Sequence, residues 1–111
     1  MYKEFVILPE FEKQWRAMNL TDDDLRRLEN LLLSNQEAGD VIQGTGGLRK
    51  LRFAFTDRGK SGSARVCYVN IIRAEKIFLI TAYPKSEKDN LSKAECNAIK
   101  KLVDLLKNTA I

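Results

Sequence analysis

Residues 48–83 read LRKLRFAFTDRGKSGSARVCYVNIIRAEKIFLITAY, three runs rich in β-branched and aromatic residues (48–55, 64–72 and 76–83) with short breaks between them. The breaks are a Gly59-Lys60-Ser61-Gly62 loop and a turn from Arg73 to Lys76. Links this short join antiparallel neighbours, because a parallel crossover needs a dozen or more residues. Side chains alternate across a strand, so Lys50 and Arg52 share one face while Arg49, Leu51, Phe53 and Phe55 share the other. Arg65, near the start of the second run, comes opposite the Lys50/Arg52 pair when the hairpin closes, with Arg58 and Lys60 on the loop above. Like charges gathered on a sheet repel, so a structural role alone is a poor use of them. Tyr68 and Tyr83, on adjacent strands, offer a stacking surface or a hydroxyl, with ordinary sheet packing as the equal alternative.

Upstream, residues 4–8 make a short apolar strand that Pro9 ends, at a position where proline opens a helix. Phe11, Trp15 and Met18 then form one apolar stripe, with Trp15 read as core rather than as a binding platform. Thr21 followed by Asp22, Asp23 and Asp24 starts a second helix, carried on by Leu25, Leu28, Leu31 and Leu32, and the two helices join at Asn19-Leu20. The glycine-rich stretch 39–47 lacks the order of a P-loop or dinucleotide motif and no helix follows it, so it reads as a shaped connection. Downstream, Ser92-Lys93-Ala94-Glu95 is a capping box, and Ile99, Leu102, Val103 and Leu106 give the apolar face of a last helix. The expected order is β-α-α-β-β-β-α, an α+β fold with helices packed on a mainly antiparallel sheet.

At 111 residues the chain has room for one ordinary core, so a single domain over 1–111 is expected. Hydrophobic residues at 44% and charged residues at 31% argue against disorder and fibrous repeats. No apolar run approaches the ~20 residues of a membrane span, and the N-terminal apolar stretch is too short for a signal peptide, so no membrane association and a cytoplasmic location are expected. Cys67 and Cys96 lack CxxC spacing and there is no histidine, which disfavours a disulfide framework and a zinc site and removes the commonest general base. The net charge is +4, but residues 48–65 hold six basic residues against the single Asp57, a net +5. The whole positive excess lies in that segment, the footprint of a site for a polyanion such as RNA or DNA, with a solvated charged hairpin as the bland alternative.

The block GDVIQGTGGLRKLR at 39–52, GKSGSARVCY at 59–68, LITAYPKSE at 79–87 and Asp89-Asn90-Leu91 closely resembles the RelE/HigB toxins of bacterial type II toxin–antitoxin modules, in the HigB-like branch. The resemblance covers essentially the whole chain. It implies a RelE-like fold and a ribosome-dependent endoribonuclease that cleaves mRNA in the 30S A site without metal or other cofactor. Its implied partner is a cognate helix-turn-helix, HigA-like antitoxin, through which alone operator DNA would be reached. Carried onto this sequence, the family's basic strand pair falls on Lys50 and Arg52, its arginine before the next strand's tyrosine on Arg65, and its basic residue after the last strand on Lys85. The tyrosine that many members place further on is replaced by Leu91, which leaves Tyr83 as the candidate substitute.

RNA cleavage by its own 2′-hydroxyl needs a base at the nucleophile, positive charge on the phosphorane and an acid at the 5′-oxygen. Guanidinium forks suit the second task. A lysine serves as base only with its pKa well below ~10.4, a change that neighbouring cations favour. Lys50 is accordingly the expected base, Arg52 and Arg65 the phosphate stabilisers, and Lys85 an acid or further stabiliser. Arg49, Arg58, Lys60 and Tyr68 are the expected RNA or ribosome contacts. Two other readings compete: a ParE-like toxin of the same fold acting on DNA gyrase, and a non-catalytic nucleic-acid-binding module.

Overall fold

The computed structural model describes residues 3–55 and 62–109. The chain runs β1 (Glu4–Ile7), α1 (Pro9–Ala17), α2 (Asp22–Ser34), β2 (Asp40–Val41), β3 (Arg49–Ala54), β4 (Ser63–Ile71), a 3-10 turn (Ile72–Ala74), β5 (Lys76–Pro84) and α3 (Lys93–Thr109). One five-stranded sheet has the order β1-β5-β4-β3-β2, with β1 parallel to β5 and every other pairing antiparallel. The α+β architecture expected from the sequence is present, with one strand more. That extra strand, β2, pairs Asp40 with Lys50 and Val41 with Arg49. Gly39 makes the approach possible. Its φ is +86°, and a Cβ there would lie 2.3 Å from the Lys50 carbonyl oxygen.

The local signals explain the helix boundaries. Pro9 occupies the first turn of α1, where its missing N–H costs nothing. The Thr21 hydroxyl accepts from the Asp24 N–H and the Asp24 carboxylate accepts from the Thr21 N–H, a complete capping box. Ser92 and Glu95 make the same reciprocal pair ahead of α3.

The sheet separates two apolar layers. On one face, α1 and α2 bring Phe11, Trp15, Leu28 and Leu32 against Phe53, Val66, Tyr68 and Leu79. Trp15 stacks on Phe11 at 5.2 Å and donates its indole N–H to the Thr21 carbonyl, so it belongs to the core. On the other face, Val103 of α3, with Ile99 and Leu102, packs against Leu48, Val69, Phe78 and Ile80. Among the described residues no helix is long and apolar enough to cross a membrane.

Two irregularities position the functional face. Between β4 and β5 the register steps from Cys67↔Thr81 to Tyr68↔Leu79, so Ile80 is an extra residue on β5. The bulge reverses the alternation: Ile77 and Leu79 face α1 and α2, as does Ala82, which leaves Tyr83 on the α3 face. Meanwhile the turn after β2 wraps the buried Thr45, whose hydroxyl donates to the Ile42 carbonyl and accepts from the Leu48 N–H. Lys107 donates to the Gly46 carbonyl, which ties this turn to the end of α3. The helix thus covers the Leu48 end of β3 and leaves the Lys50–Arg52 end to the segment between β5 and α3.

Candidate nucleic-acid cleavage site

At that uncovered end the pairing Arg52↔Arg65↔Tyr83 forms one cross-strand row, and Lys50↔Cys67↔Thr81 forms the next. Lys50, Arg52 and Arg65 therefore gather on one face, as the alternation predicts. With Gly39, Asp40 and Asp89 they line an open depression of about 460 Å³. Beneath Lys50, Cys67 is fully buried, and burial pushes its thiol up to about 12.

The segment between β5 and α3 supplies the depression's far wall. Lys50 Nζ donates to the Asn90 side-chain oxygen at 2.7 Å and to the Asp89 carbonyl at 3.2 Å. Arg65 Nη2 donates to the Asp89 carboxylate at 3.0 Å. Among the described residues the other terminal nitrogen of Arg65, Nη1, is buried and has no hydrogen-bond partner. An unmet buried donor costs about 1–3 kcal/mol, so an acceptor brought to this nitrogen is favoured. Tyr83 is buried, its hydroxyl 3.4 Å from the Asp89 carbonyl. Burial raises its phenol well above the ordinary tyrosine value, with Cys67 adding to the rise and Arg65 opposing it. The hydroxyl is thus kept protonated, and the same rise makes it a weaker acid than an exposed phenol.

Two expected contacts, Tyr68 and Arg49, and one expected catalytic residue, Lys85, are placed elsewhere. Tyr68 is fully buried on the α1/α2 face and donates its hydroxyl to the Ala38 carbonyl at 2.6 Å, so it offers no stacking surface. Alternation gave it to that face, and the size of its ring favours the core over solvent. Arg49 also lies on the face away from Lys50 and Arg52, where Nη1 donates to the Glu37 and Gly39 carbonyls. Its role there is to hold the Gly39 turn against β3. Lys85 is exposed in the turn after β5, tied by its backbone N–H to the Ser63 carbonyl, and does not line the depression. Arg58 and Lys60 lie outside the described residues.

Sequence reasoning passed over Asp89 and Asn90 as members of the site. The available signal was their position: two polar residues between the end of a strand and a capping box are free to point back over the sheet. Lys88, just before them, lies over the Tyr83 ring at 5.0 Å and pairs with Glu95. Among the described residues no group of three or more Cys, Asp or Glu side chains gathers as a metal would require.

Residues 6–110 match the family described as the RelE toxin of the RelE/RelB toxin–antitoxin system. The chain belongs to the RelE toxin family. RelE toxins are in general endoribonucleases, and membership implies an antitoxin partner.

Proposed function

We propose that this RelE toxin is a ribosome-dependent mRNA endoribonuclease of the HigB-like branch, with Lys50 as its base and Arg52 and Arg65 as its phosphate-stabilising cations. The observation that carries the reading is Arg65: a guanidinium on the sheet face, in register with Arg52, with one buried nitrogen that has no acceptor among the described residues. A phosphate oxygen supplies that acceptor, and a second oxygen reaches Arg52, which is exposed.

In the proposed step the 2′-oxygen attacks the adjacent phosphorus, and the bond to the 5′-oxygen breaks to leave a 2′,3′-cyclic phosphate and a 5′-hydroxyl. Negative charge growing on the phosphorane meets guanidiniums already fixed by the sheet, so little reorganisation is needed. Fixed guanidinium charge performs the neutralisation that a metal ion would otherwise provide. Lys50 receives the 2′-hydroxyl proton. A neutral amine has two N–H donors and one lone pair, and the Asp89 and Asn90 oxygens take up the two donors. The lone pair is then left for the nucleophile. Tyr83, held as a phenol, or Lys85 after a movement of its turn, protonates the leaving 5′-oxygen.

The partner in this reading is a HigA-like helix-turn-helix antitoxin, which alone carries the toxin to operator DNA, and the site of action is the cytoplasmic ribosome. Primer extension on an mRNA after induction of the toxin, with translation running or blocked, tests the reading. Cuts that appear within the reading frame and vanish when translation is blocked are expected. Cuts that persist unchanged without translation, or no cuts at all, would refute it.

A further inference from the structure

Asp89 occupies the ground that a substrate phosphate needs. Its carboxylate takes one nitrogen of Arg65 at 3.0 Å, and its carbonyl takes Lys50 and faces the Tyr83 hydroxyl. One short residue thus contacts three of the groups assigned to cleavage. We infer that Asp89 is a resident competitor for the phosphate, a residue that sets the affinity of the site for RNA by holding Arg65 until substrate displaces it. The inference rests on the proposed RNA-cleaving function of this site.

Burial and charge support displacement over a fixed structural bridge. The Arg65 side chain is 13% exposed whereas that of Asp89 is 60% exposed, so the acid lies on the solvent side of the pair and leaves without unpacking the sheet. Asp89 also sits between the Pro84–Glu87 turn and the Ser92 cap, outside any helix or strand. An ion pair with one partner this exposed is weak, and a phosphate carrying more than one oxygen replaces its single contact with two. The Nη1 atom, without a partner among the described residues, gains one in the exchange. A consequence is discrimination by presentation. RNA free in solution must both find the site and expel the acid, whereas RNA held beside the site by a larger assembly faces only the expulsion, because its effective concentration is already high.

The probe is a short single-stranded RNA carrying 2′-O-methyl groups, which the toxin cannot cleave, titrated by fluorescence anisotropy at fixed low salt. Asp89→Asn keeps the shape and removes the charge; it should bind roughly fivefold tighter than the natural chain. In the Arg65→Ala background the same substitution should give a much smaller gain, because the competed group is gone. Unchanged or weaker binding by folded Asp89→Asn would overturn the inference, as would an equal gain with and without Arg65, which would reveal only a general charge effect. Asp89→Ala, checked for folding by circular dichroism, guards against an asparagine that keeps the contact. Arg65→Ala alone separates the two readings: weaker binding there upholds the RNA site even if Asp89 proves inert, whereas unaltered binding refutes the site itself.

Discussion

Lys50 has its contacts to the Asp89 carbonyl and the Asn90 amide oxygen on one side and open depression on the other. Lys50→Arg keeps the charge but substitutes a group that does not give up its proton. Single-turnover cleavage on programmed ribosomes should therefore fall by about 10²–10⁴-fold at every pH from 6 to 10. Activity near that of the natural chain would reassign Lys50 to electrostatics. The three strand cations were legible in the sequence because period-2 alternation and hairpin register are strict where one face is buried. Tyr83 was legible only as a candidate, since its face depends on the Ile80 bulge, which no residue pattern announces. The burial of Tyr68 was left open for the complementary reason: alternation gives a face but not what covers it.

The elements around the site were legible to different depths. Both capping boxes and the proline start of α1 are local chemistry and were readable directly, whereas the two-residue β2 depends on a close approach that only a glycine at position 39 permits. Gly39→Ala should destabilise the fold by at least about 1–2 kcal/mol from the left-handed backbone alone, with more from the contact to the Lys50 carbonyl. Urea denaturation checks this, and an unchanged midpoint would contradict it. At the start of α3, the Lys88 ammonium and then the Ser92 N–H hold the Glu95 carboxyl below the ordinary glutamate range. A carboxyl lowered by folding stabilises the fold above its unfolded value of about 4.3, and that contribution is lost as pH falls through the folded value. Glu95→Gln should thus be less stable than the natural chain at pH 7, with the gap narrowing as the pH is lowered through the folded value. A stability gap that stays constant across that range would show that the pair does not contribute.

Across the whole molecule, charge and coverage divide the α3 face. The helix packs on its apolar half, and Lys50, Arg52 and Arg65 occupy the other half. That division was partly legible, since the +5 segment pointed to a polyanion, but nothing in the residue pattern announced that an acid from the chain itself sits among the cations. The strand cations of the site form a fixed arrangement, with only the Asp89 side chain needing to move to admit a phosphate, so activity should depend sharply on single cations. The most direct test of the central claim is single-turnover cleavage of an mRNA codon in the A site of programmed ribosomes, comparing the natural chain with Arg65→Ala and with the same mRNA free in solution. The expected result is cleavage on the ribosome with a 2′,3′-cyclic phosphate end, little on free mRNA, and a rate about 10²–10³-fold lower for folded Arg65→Ala. Cleavage by folded Arg65→Ala at the natural rate, or none by the natural chain, would contradict it.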